Sequence, residues 1–140
     1  MTKPADPHPA EVLDALRRRG PGTRIAVVGA SNDPAKYGNI IVNNLAGKGY
    51  TVLPVNPREA EIAGLRAYGS LRDVPAPIDV VSVVTPPKVT RKVLEQVAEL
   101  GLPNVFLQDG SFDEDVLTYV AGAKFKTFYN GCIMVVTAGM

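Results

Sequence analysis

The stretch IAVVGASNDPAKYG, residues 25–38, runs from an apolar segment into a glycine and then into a polar, proline-bearing loop. The segment that follows, YGNIIVNNLAGKG (residues 37–49), sets Gly38, Ile41, Val42 and Leu45 at i, i+3, i+4 and i+7, the spacing of one helix face. A buried strand, a glycine turn and an amphipathic helix closed by Gly47 or Gly49 make the first half of a strand–helix–strand unit. The turn is not the G-x-G-x-x-G of dinucleotide-binding loops, because Ala30 and Ser31 stand where the second glycine belongs. It still suits a pyrophosphate. Gly29 permits a sharp turn, Ser31 offers a hydroxyl, Lys36 adds a charge, and amides at a helix N-terminus attract anions. Gly38, on the sheet-facing side of the helix, lets helix and strand approach closely. Asp33 followed by Pro34 also reads as an ordinary N-cap and N1 pair, and on that reading the loop is a capped turn.

Working outward, the same alternation repeats. TVLPVNP (51–57), DVVSVVTPP (79–87), NVFLQ (104–108) and KTFYN (126–130) read as strands. KVTRKVLEQVAELG (88–101) is a helix with Val89, Val93, Val97 and Leu100 on one face and Gly101 past its end. SFDEDVLTYVAG (111–122) opens with Ser111 and Glu114 in capping-box register. Between the second and third strands, residues 58–78 carry a weak pattern, read as a loop with a short strand near residues 65–68 and a helical turn at 70–73. Ahead of all this, residues 1–9 read as a loose Pro-rich tail, PAEVLDALRRRG as a short helix, and GPG as a break. CIMVV (132–136) reads as an apolar tail without a partner. Strands without polar alternation, each followed by a helix, predict a doubly wound, Rossmann-like α/β domain. Its sheet is mostly parallel and five-stranded, with helices on both faces. The expected division is residues 1–22 as tail and helix, and 23–140 as the domain.

Composition narrows the function. A chain of 140 residues with formal net charge +1 makes no electrostatic case for nucleic acid or an anionic membrane. The single Cys132 excludes an internal disulfide framework, so a reducing cytoplasm is expected. No apolar run reaches the ~18 residues of a membrane span, and the N-terminus lacks the apolar core of a secretory signal.

In an open α/β sheet, ligands lie beyond the carboxyl ends of the strands, where strand order reverses. The residues there are polar, rich in Gly and Pro, and include no histidine, since His8 falls in the tail. No Ser-His-Asp set, metal-ligand cluster or P-loop is present in that set. The chemistry on offer is recognition. Domains that bind NAD end the second strand in an acid, which bonds the ribose hydroxyls. Here the strand ends in Asn56-Pro57-Arg58, which reads either as a corner suited to a ribose phosphate such as those of NADP and coenzyme A or as an ordinary Asn-Pro turn beside a solvated arginine.

The segments VVGASNDPAKYGN, YTVLPVNPREAEIAGLRAYGSLRDVPAPIDVVSVVTPP, FLQDGSFDEDVL and YNGCIMV resemble, in order, the CoA-binding domain family. That family includes the N-terminal domain of the succinyl-CoA ligase alpha subunit and small free-standing bacterial CoA-binding proteins, the nearer likeness. The resemblance implies coenzyme A, or acyl-CoA, bound at the strand ends. It implies phosphate contacts at Gly29, Ala30, Ser31 and Asn32, and contacts from Asn56 and Arg58 at the adenosine-phosphate end. Val84, Thr85 and Pro86 match the segment beside the adenine. Asn130 and Cys132 fall near the ligases' Pro-Asn-Cys turn, here with Gly131 inserted. The ligases use a phosphohistidine on a second domain, so the expected function is non-catalytic CoA binding in a regulatory or carrier role. The alternative is an NADP-dependent oxidoreductase, or another nucleotide-binding protein, on the same fold. The sequence leaves open which protein partner it has and whether a partner subunit supplies catalysis.

Overall fold

The computed structural model describes residues 6–140; the proline-bearing tail at residues 1–5 lies outside them. In chain order the elements are α1 (Ala10–Arg17), β1 (Arg24–Val28), α2 (Tyr37–Gly47), β2 (Thr51–Val55), β3 (Glu61–Ile62) and β4 (Leu65–Arg66). A 3-10 turn (Leu71–Asp73), β5 (Val80–Val83), α3 (Pro87–Leu100), β6 (Asn104–Leu107), α4 (Glu114–Ala121), β7 (Lys126–Phe128) and α5 (Ile133–Ala138) follow. Five strands form one sheet in the order β2-β1-β5-β6-β7, every pairing parallel. This is the doubly wound α/β fold expected, with its order reversing at β1. Val28 stands in register with Val55 on one side and Val83 on the other, so three strands end level at the carboxyl rim.

The sheet is buried on both faces, which is why its strands show no polar alternation. Ile25, Val27, Val80 and Phe106 pack against α1, α2 and α5, through residues such as Leu16, Ile41, Leu45 and Ile133. Ala26, Val28, Val81, Val83, Val105 and Leu107 pack against α3, α4 and the 3-10 turn.

Several local expectations are corrected. CIMVV is not a tail without a partner. It starts helix α5, which packs on α2. Lys48 holds it there, donating to Met134 O at 2.7 Å and Thr137 Oγ1 at 2.8 Å. Burial, reinforced by Arg19 and opposed by Cys132, lowers the pKa of Lys48. Helix α4 is capped by Asp113, whose Oδ1 accepts from Val116 N at 3.0 Å. Ser111 instead closes the preceding turn, donating to Gln108 O at 2.6 Å. On α3 the buried stripe is Thr90, Val93, Leu94 and Val97, while Val89 and Leu100 are exposed.

Residues 6–9, expected as loose tail, lie against the end of β7. Tyr129 N donates to Pro7 O at 2.9 Å. The His8 ring stacks on Phe128 at 4.4 Å, Phe128 stacks on Phe106, and His8 Nε2 lies 3.3 Å from Asn130 O. The histidine assigned to the tail therefore sits at a strand end.

Candidate functional site

A cavity of about 310 Å³ opens where β1, β2 and β5 end, at the reversal of strand order. Two glycines shape its mouth. Gly29 leaves β1 at φ +93°, and a Cβ there would stand 3.0 Å from Thr85 Cγ2 and 3.1 Å from the Val84 carbonyl carbon. A Cβ on Gly38 would stand 2.1 Å from the carbonyl oxygen of Gly29. No side chain fits between helix and loop. Gly29 N donates to Val55 O at 3.2 Å and Val84 N to Val28 O at 2.9 Å, which fixes the loop to both neighbouring strands.

Inside the loop, Asp33 N donates to Ser31 Oγ at 3.0 Å and Ala35 N to Asp33 Oδ1 at 2.9 Å. Asp33 and Pro34 thus form a turn of their own and do not cap α2. That helix begins at Tyr37, with Lys36 at the N-cap and no side chain capping its first turn. Lys36 itself lines the opening, and a cation beside the start of an uncapped helix is a combination that favours an anion.

Of the residues expected at the site, Gly29, Ala30, Ser31, Lys36, Asn56 and Thr85 line this cavity together. Asn56 lines it with both ends of its carboxamide engaged. Nδ2 donates to Ala30 O at 2.9 Å, and Oδ1 accepts from Arg58 N at 2.8 Å. It joins the end of β2 to the first loop, which is a positioning role. Asn32 does not line the cavity, because its carboxamide turns to the β3–β4 hairpin. Nδ2 donates to Glu61 O at 2.8 Å and Glu59 Oε2 at 3.2 Å, and Oδ1 accepts from Ala63 N. Arg58, on an exposed corner, stands outside the lining, as do Val84 and Pro86, the N-cap of α3. Asn130 and Cys132 lie beyond β7, three strand spacings from β1, roughly 14 Å along the rim. The structure does not bring them to the cavity.

The remaining walls come from segments that the sequence reading did not assign to the site. Gly69, Ser70 and Leu71 form one side, Val89, Val93 and Gln96 of α3 the other, and Val55 closes the slot between them. The i, i+4, i+7 spacing of Val89, Val93 and Gln96 was the available signal, but helical periodicity cannot distinguish a face against a core from a face against a pocket. No Asp or Glu lines the cavity among the described residues. Asp73 sits behind the wall, where it accepts from Ser70 Oγ at 3.2 Å. A larger hollow, about 820 Å³, lies near the opposite rim between the ends of α3 and α4, away from the glycine loop.

Residues 23–138 match the profile of the CoA binding domain. The chain belongs to the CoA binding domain family. This CoA binding domain is similar to proteins of two lengths. It is 40% identical over 91 residues to the alpha subunit of acetate–CoA ligase (ADP-forming) II of Pyrococcus furiosus, a match covering 64% of this chain and 20% of that subunit. It therefore spans about a fifth of that relative's length. The uncharacterized protein YneT of Bacillus subtilis is 30% identical over 133 residues, covering 95% of this chain and 96% of YneT. Among solved structures, a hypothetical protein from Pyrococcus horikoshii superposes with a TM-score of 0.84 at 31% identity, covering 99% and 96% of the two chains.

Proposed function

We propose that this protein binds coenzyme A or an acyl-CoA at the β1–β2–β5 rim and acts without catalysis of its own, as a cytoplasmic carrier or regulator. The observation that carries the reading is the pair of glycines whose missing side chains let α2 press its first turn against the loop beside Lys36. That arrangement suits an anion, and membership of the CoA binding domain family supports reading that anion as the pyrophosphate of coenzyme A. The cavity lies at the small end of ligand pockets, which span ~300–1,000 Å³. It takes the nucleotide head and leaves the pantetheine arm to run along the rim.

Binding without catalysis is favoured by the inventory at the cavity. Among the described residues its hydroxyls pair with no histidine or lysine, Ser70 Oγ donates only to the Asp73 carboxylate, and His8 is stacked at the far end of the rim. The lack of a cavity-lining acid at the end of β2 disfavours an NAD-type ribose contact. The test is calorimetric titration with coenzyme A, dephospho-coenzyme A and NADP, with thioester formation from ATP or GTP assayed alongside. Coenzyme A should bind most tightly, ahead of the dephospho form by roughly fivefold, since Arg58 is an exposed cation. Preference for NADP would point to the oxidoreductase class, and nucleotide-dependent thioester formation by the chain alone would overturn the non-catalytic reading.

A further inference from the structure

The slot beneath the phosphate loop carries two features that the packing of the protein does not account for. Val89 is 46% exposed although it belongs to a helix whose neighbouring positions are core. Gln96, two turns further along the same stripe, is half-buried and has no hydrogen-bond partner among the described residues. Its polar neighbours are engaged. Asn56 is used at both ends, Ser70 Oγ donates to Asp73, and Thr85 Oγ1 pairs with Thr90 Oγ1 at 2.8 Å. Gln96, whose side chain makes no hydrogen bond among the described residues, therefore lines a channel with Leu71 on one wall and Val89 and Val93 on the other.

Apolar walls accept a flat ring, and a carboxamide presents one donor and one acceptor side by side. Adenine offers the complement on its Hoogsteen edge, where the 6-amino group donates and N7 accepts. A 6-oxo purine presents two acceptors on that edge and leaves the amide oxygen opposed. From this geometry we infer that Gln96 reads the base of the bound nucleotide and selects a 6-aminopurine over a 6-oxopurine. The inference rests on the coenzyme A reading and adds the residue that sets base specificity.

The test is a pair of titrations, coenzyme A and its hypoxanthine analogue, against the wild-type chain and Gln96→Met. The variant keeps side-chain length and helix propensity, and removes both polar atoms. The wild type should prefer coenzyme A by about tenfold, the discrimination of a modest two-point contact. In Gln96→Met the affinity for coenzyme A should fall by about that factor while the analogue is nearly unaffected, so the preference collapses toward unity. Equal binding of both compounds by the wild type, or an undiminished preference in the variant, would remove Gln96 from base recognition and leave the coenzyme A site standing. Failure of the wild type to bind either compound would remove both.

Discussion

Gly38 is the position at which this site admits no substitution. The methyl group of an alanine would have to occupy space 2.1 Å from the Gly29 carbonyl oxygen, and both partners are backbone. Relief requires moving α2 away from β1, so Gly38→Ala should cost about 3 kcal/mol in a urea titration and open the anion cradle. Ser31 offers the opposite experiment. Its Oγ accepts from Asp33 N, a bond that an aspartate carboxylate can also accept. Ser31→Asp should therefore fold with stability within about 0.5 kcal/mol of the wild type, yet lose coenzyme A binding in calorimetry, because a fixed negative charge now faces the pyrophosphate. Normal binding by this variant would place the phosphates elsewhere. The glycines were legible in the sequence because steric exclusion is a property of the residue itself. Asn32 and Asn56 were not, since the direction of a carboxamide is set by partners distant in sequence. Both were expected at the ligand, and both carboxamides bond to the chain itself, Asn56 while lining the cavity and Asn32 outside its lining.

At the scale of elements, the β3–β4 hairpin shows what the sequence conceals. Its two-residue connection puts Ala63 at φ +52° and Gly64 at φ +79°, the two positive angles of a type I′ turn. Glycine accepts this freely. Alanine does not, and the bond from Ala63 N to Asn32 Oδ1 helps hold it there. Ala63→Asn should raise unfolding free energy by about 0.5–1 kcal/mol, measured by chemical denaturation, because asparagine tolerates the left-handed region. A decrease would mean the turn is held open by contacts that the larger side chain disrupts. The hairpin was read from sequence only as a short strand near residues 65–68, for its strands are too short for period-two patterning to register. Helix α5 escaped for a related reason. A run such as CIMVV has no polar face to reveal a helical period, and its start at Cys132 carries no side-chain cap. What makes it a helix is the surface of α2 and the reach of Lys48, neither of which is local.

For the whole molecule, the five-stranded parallel sheet was readable because burial on both faces imposes long apolar runs, and such runs survive any rearrangement of loops. That a cavity opens at the carboxyl rim followed from the same logic, as the reversal of order at β1 leaves a crevice between strands. How far the site extends did not follow, because its second wall is supplied by a connection of weak pattern and by one side of α3. Parallel pairing has a further outcome. Every strand of the five-stranded sheet enters from one rim and leaves at the other, so the two rims are separate territories along the chain. The glycine loop and the cavity lie at the exit rim, whereas the segments at 20–22, 47–49, 101–103 and 122–124 lie at the entry rim. These entry segments are glycine-bearing or proline-bearing connections that contribute nothing to the cavity lining. A chain cut, rejoined or lengthened at an entry segment keeps its cradle intact, and an appended domain attached there would be carried on the side away from the ligand. The architecture thus separates the surface available for attachment from the surface committed to recognition.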